Sequence, residues 1–72
     1  MQQVATAKDL GLIIRNERKR QGFTQTELAG LSNVGITFLS NLENGKETAE
    51  IGKAIAVTTM LGIDLFAQRR GL

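Results

Sequence analysis

TQTELAGLSNVGITFLSNLENGK, residues 24 to 46, reads as two short helices joined by one tight turn and closed by another. Thr24 with Glu27 three residues on makes a capping box, in which each side chain satisfies a free backbone N–H of the first helical turn. That fixes a helix start near Thr24. Leu28, Ala29 and Leu31 follow as a short apolar stripe, before Ser32 and Asn33 weaken the helix. Asn33 tolerates left-handed geometry, so a sharp turn is expected there. Val34 resumes the apolar pattern, Gly35 can sit at the next N-cap, and Leu39 and Leu42 share one face of a second helix. Asn44-Gly45 ends that helix, since Asn and Gly adopt the left-handed C-cap conformation. Ile36, Thr37, Ser40 and Asn41 then occupy the opposite face. This is the arrangement of a helix-turn-helix, whose second helix lays its N-terminal residues against base edges in the major groove.

Working outward, Met1 to Thr6 carry no periodicity and are expected to fray. A first helix is expected from Thr6 or Ala7 to Gln21, stopped by Gly22, with Leu10, Ile13, Ile14 and the stem of Glu17 or Arg18 as its buried stripe. Arg15, Arg18, Lys19 and Arg20 gather in its last turns, where cations complement the helix dipole. Arg15, Lys19 and Arg20 are each either part of a solvated helix end or a phosphate contact. Beyond Lys46, Glu47 and Thr48 form a connector, and a further helix is expected from Thr48 or Ala49 to about Leu61, closed by Gly62. Ile51, Ala54, Ile55, Thr58 and Leu61 are its expected core face. Ile63, Leu65 and Ala67 then alternate with Asp64, Phe66 and Gln68, a period of two that suggests a strand over 63–69. The alternative is a fifth short helix. A lone strand finds its economical partner in a symmetry mate, which would make Ile63, Leu65, Phe66 and Ala67 a dimer strand.

Seventy-two residues make one domain, 1–72, divided into a frayed 1–6, a helical bundle 7–61 and the dimerising strand 63–69. A chain this short sits near the lower limit for a self-supporting core, so a homodimer is expected. The sequence has no Cys and no His. That removes disulfides, thiol nucleophiles, the usual zinc sites and imidazole acid-base chemistry, leaving no enzyme, metal or cofactor to expect. The net charge of +2 is too mild to point to nucleic acid by itself. No apolar run is long enough for a membrane span and no signal peptide is visible, so a cytoplasmic, nucleoid-associated protein is expected.

Phe-Thr-Gln at 23–25, Glu-Leu-Ala at 27–29 and Glu-Asn-Gly-Lys at 43–46 resemble the phage-repressor and Cro-like (Xre-type) helix-turn-helix domains, over roughly residues 10 to 62. More narrowly, Val34-Gly35, Thr37-Phe38-Leu39-Ser40 and Leu42 to Lys46, followed by a helix and a Gly-Ile-Asp-Leu tail, are similar to the HipB-like (y4mF-type) antitoxin regulators. The resemblance implies an all-α, lambda-repressor-like bundle of four to five short helices, with the C-terminal strand paired across a dimer. It also implies that Arg18 pairs with Glu43, tying the first helix to the recognition helix, and that Gln25 anchors the domain to the DNA backbone. Ile36 departs from the family, where a polar or basic residue is common, and Ser32 is smaller and more polar than usual.

Function follows from these parts. Helix N-termini seat phosphates, so Thr24 and Gln25 are expected to contact the backbone, with Asn44 and Lys46 of the following turn and with Arg15 and Lys19. Ile36, Thr37, Ser40 and Asn41 are expected to face the bases, Asn suiting adenine and the methyl groups suiting thymine. A two-fold dimer would place two such helices roughly 34 Å apart, on a palindromic operator in double-stranded DNA. The expected function is a sequence-specific repressor, and by resemblance an antitoxin that represses its own operon and binds a HipA-like kinase toxin. A phage or host Xre-type regulator without a toxin, and a protein-interaction module that does not bind DNA, are the alternatives.

Overall fold

The computed structural model describes residues 1–71, with helices α1 (Ala7–Arg20), α2 (Gln25–Ser32), α3 (Ile36–Glu43) and α4 (Ile51–Leu61). Short polar signals set their limits. Thr24 caps α2 through Oγ1, which accepts from the Glu27 amide, while the Glu27 carboxylate accepts from the Thr24 amide. The same reciprocal box opens α1 with Thr6 and Asp9, a signal that the sequence reading passed over. Asn33 closes α2 at φ 56° and ψ 44°, and Gly35 caps α3 in extended geometry. At the end of α4, Gly62 turns left-handed at φ 77°, and the Gly62 and Ile63 amides donate back to Thr59 and Thr58.

Ile14, Leu28, Ala29, Leu39, Leu42, Ala54, Val57 and Leu61 form one buried core to which every helix contributes. α3 packs on α1 and α2, and α4 closes the opposite side against the same two helices. α3 is therefore supported from behind by two helices. Thr58, fully buried, donates its hydroxyl to the Ile55 carbonyl, so its polar atom does not go unsatisfied.

Four expectations are corrected. α4 begins at Ile51 rather than Thr48 or Ala49, because residues 46 to 49 close a turn in which the Ala49 amide donates to the Lys46 carbonyl. Its buried face includes Val57 and leaves Ile51 and Ile55 at 66% and 45% exposure. Apolar residues flank the Ala54–Thr58 stripe on both sides, and only the packing against α1 and α2 selects between them. Leu31, counted in the apolar stripe of α2, is likewise half exposed. Finally, residues 63–69 form neither strand nor a fifth helix: a strand exists through its ladder, and no other extended segment among the described residues offers one. Ile63 is half-buried against the core, and Leu65, Phe66 and Ala67 are exposed. No helix among the described residues is long and apolar enough to cross a membrane.

One clamp ties the end of α1 to the end of α4. Gln21 Nε2 donates both to the Glu17 carboxylate at 2.7 Å and to the Leu61 carbonyl at 2.8 Å. Hydrogen bonds from Arg20 and then Gln21 hold the Glu17 pKa down at about 2. A carboxylate whose folded pKa is depressed stabilises the fold above its unfolded pKa and loses that contribution as pH falls toward the folded value. The urea midpoint should therefore fall as pH drops from the ordinary carboxylate range toward about 2. Glu17→Gln should flatten part of that decline; an unchanged pH profile would contradict the clamp.

Candidate nucleic-acid interface

The turn between α2 and α3 is built from one left-handed residue and two backbone hydrogen bonds, from the Val34 N–H to the Ala29 carbonyl at 3.0 Å and from the Asn33 N–H to the Gly30 carbonyl at 3.2 Å. It fixes α3 so that Leu39, Leu42 and Glu43 point inward. On the other side Ile36 and Thr37 are exposed, and Ser40 and Asn41 are half-buried one turn later. The four residues expected to face bases thus lie on the side of α3 turned away from the core, over its first six residues. Phe38 is instead a packing residue, half-buried against the core with the Lys53 ammonium 5.7 Å from its ring centre.

Glu43 holds α3 in place. Its carboxylate accepts from Arg18 Nε at 2.6 Å and Nη2 at 3.0 Å, and from Gln25 Nε2 at 3.1 Å. Arg18 adds a bond from Nη1 to the Phe23 carbonyl at 2.8 Å, so α1, the α1–α2 connector, α2 and α3 meet on one buried ion pair. The hydrogen bond to Glu43 raises the Arg18 pKa further above its already high ordinary value. A bidentate guanidinium–carboxylate pair of this kind fixes orientation as well as distance. Gln25 Nε2 has two hydrogens and uses one on Glu43; the second remains for a ligand.

The expected phosphate contacts divide into two groups. Around Thr24 and Gln25 the capping box consumes the Thr24 and Glu27 amides, leaving those of Gln25 and Thr26 free at the positive end of α2. The hydrogen bond from the Thr24 amide lowers the Glu27 pKa, so the box stays charged. In the turn after α3, by contrast, the Asn44, Gly45 and Lys46 amides already donate to the Ser40, Leu42 and Asn41 carbonyls. Those amides are therefore already spent, and the exposed side chains of Asn44 and Lys46 are what this turn has left for a phosphate. Arg15 and Lys19 are exposed on α1.

Two glycines position α3 and had not been singled out for it. A Cβ on Gly11 would lie 2.4 Å from the Leu42 carbonyl oxygen and 2.8 Å from that of Glu43. One on Gly45, at φ 82°, would lie 2.8 Å from Lys8 Cα. A glycine in mid-helix lowers helix stability by about 1 kcal/mol, and that mismatch was the available signal for Gly11.

Comparison with known proteins agrees with the fold. A model of the helix-turn-helix family matches residues 14–67. The chain is 46% identical over 66 residues to the uncharacterized HTH-type transcriptional regulator y4mF of Sinorhizobium fredii, covering 89% of this chain and 87% of that protein. It is 49% identical over 39 residues to the competence pilus inhibition repressor of Acinetobacter baylyi, covering 54% of this chain and 36% of that one. Among solved structures, a chain of a HipB-O4 20mer complex superposes with a TM-score of 0.87 at 20% identity, over 99% of this chain and 100% of that one. A chain of the HipA-HipB-O2-O3 complex gives 0.88 at 20% identity, over the same shares. At that identity the likeness is one of fold.

Proposed function

We propose that this chain, which belongs to the helix-turn-helix family of DNA-binding transcriptional regulators, is a repressor that binds a palindromic operator as a homodimer and serves as the antitoxin of a HipA-like kinase toxin. The observation that carries the DNA-binding half is the accessible face of α3, where Ile36 and Thr37 are exposed and Ser40 and Asn41 half-buried on a helix fixed by the buried Arg18–Glu43 pair. Asn41 and the methyl groups of Ile36 and Thr37 favour an A/T-leaning half-site. With apolar Ile36 in place of a polar reader, part of the specificity comes from the shape and deformability of the operator. The Gln25 amide, the Asn44 side chain and the Lys46, Arg15 and Lys19 cations contact phosphates and set the register.

The homodimer is supported by the small core of a chain this size and by Leu65 and Phe66, which stand 46% and 75% exposed on the tail. The antitoxin half is supported by the fold shared with HipB chains, one of them from a complex that also contains HipA. A kinase-like gene adjoining this one is the expected genomic neighbour; an integrase or lysis gene there would favour a phage regulator.

The test is a duplex selected by the protein from a random-sequence pool. Thr37→Ala with Asn41→Ala should weaken binding to that duplex by about tenfold or more, since a good base contact is worth about 1–3 kcal/mol. The dimer should sediment unchanged. Loss of the dimer instead would place this helix face in the subunit contact.

A further inference from the structure

The geometry points to Lys8 as a further phosphate-contacting residue, completing a basic track from the turn after α3, along one flank of α1, to the N-terminus of α2. The inference deepens the DNA-binding reading above and rests on it. Among the described residues, three cations of the helical body hold carboxylates: Arg18 on Glu43, Arg20 on Glu17 and Lys53 on Glu50. The other four, Lys8, Arg15, Lys19 and Lys46, are all exposed, and none of them is in an ion pair among those residues. Their positions are not scattered. At 3.6 residues per turn, Lys8, Arg15 and Lys19 lie within about 40° of one another around α1 and span roughly 16 Å along it. One strand of duplex DNA presents a phosphate about every 3.4 Å of axis, so this length passes several.

Both ends of the flank are locked to the places proposed above for phosphates. At one end the bare Gly45 Cα lies against the Lys8 backbone, and a turn further on Gly11 meets the Leu42 and Glu43 carbonyls in the same way. Lys8 therefore stands beside Asn44 and Lys46 on a backbone contact that leaves little play. At the other end the Phe23 amide donates to the Arg18 carbonyl at 3.1 Å and Arg18 Nη1 to the Phe23 carbonyl at 2.8 Å, which sets Lys19 next to the entry into α2. Glu47 shares the shallow depression beside Gly45 with Lys8 but forms no ion pair with it. A cation left without an anion on a rigid mount, in line with three others, is suited to a polyanion that runs past all four.

The experiment measures the affinity of the full-length protein for its selected duplex from 50 to about 300 mM salt. Four phosphates per protomer, eight per dimer, imply a slope of log Kobs on log [salt] of about −7. Lys8→Ala should make that slope shallower by about 2 and weaken binding about 30-fold at 0.15 M salt, equally on the selected duplex and on random DNA, because phosphate contacts carry no sequence information. Lys8→Glu should weaken it further, and Lys53→Ala, off the track, should leave the slope at the wild-type value. Circular dichroism checks that each variant is folded. A Lys8→Ala slope equal to wild type overturns the assignment. A wild-type protein that selects no duplex overturns the DNA-binding reading itself, which is a different and separately visible result.

Discussion

Glu43→Ala should destabilise the domain by about 3–5 kcal/mol, the range for removing one partner of a buried ion pair. Glu43 is 3% exposed and Arg18 8%. Without the carboxylate, the guanidinium keeps its bond to the Phe23 carbonyl, but its charge and two of its donors lose their partner. Gln25 Nε2 loses its acceptor too. A domain of this size has a total stability of roughly 4–11 kcal/mol, so the single substitution removes a large part of it. Replacing both partners, Arg18→Met with Glu43→Leu, should be close to neutral, because the uncompensated charge goes as well. Urea unfolding followed by circular dichroism separates the cases. A loss below about 1 kcal/mol for Glu43→Ala would mean that water reaches the Arg18 site and that the pair is not sealed.

Gly11→Val should destabilise by about 3 kcal/mol or more and should weaken operator binding as well. The contacts decide this against helix propensity. Gly11→Ala would gain about 1 kcal/mol as a better helix former, yet the added carbon falls 2.4 Å from one backbone oxygen and 2.8 Å from another. Neither is the end of a flexible side chain, so α1 and α3 must move apart, and overpacking of this kind costs about 1–3 kcal/mol even when the strain can spread. Valine adds two methyl groups to the same crowded site. Because the displaced element is the end of α3, the outward residues Thr37 and Asn41 shift with it. Gly30→Ala and Gly52→Ala are the controls, since a Cβ at either meets nothing within 4 Å. Both should stabilise by about 0.5–1 kcal/mol. Melting temperatures of the three alanine variants, with Gly11 opposite in sign to the other two, would establish the close approach; equal signs would refute it.

Local chemistry was legible wherever one or two residues determine the outcome. The Thr24–Glu27 box, the left-handed Asn33, the Gly35 N-cap and the Asn44-Gly45 and Gly62 stops all stand where the sequence put them, because each depends on a neighbour within a few positions. The outward residues of α3 follow directly from those limits, since two turns fix the phase of a helix eight residues long. The face of α4 was less legible. Val57 and Ile55 offer apolar flanks on both sides of Ala54 and Thr58, and the choice lies in the surfaces of α1 and α2. Gly11 carried its information as an apparent mismatch, a poor helix former in mid-helix. The Arg18–Glu43 pair is separated by 25 positions, and resemblance rather than spacing brought it into view. The tail alternates with a period of two, but alternation cannot supply a ladder partner, and one chain provides none among the described residues.

Amide chemical shifts of the isotopically labelled protein, followed as the selected duplex is added, test the central claim most directly. Saturable shifts should concentrate at Gln25 and Thr26, at residues 36 to 41 and at the turn from Asn44 to Lys46, while α4 from Ile51 to Leu61 stays largely still. Shifts centred on α4 with α3 unmoved, or no saturable change at all, would contradict the claim that α3 is the surface offered to the groove.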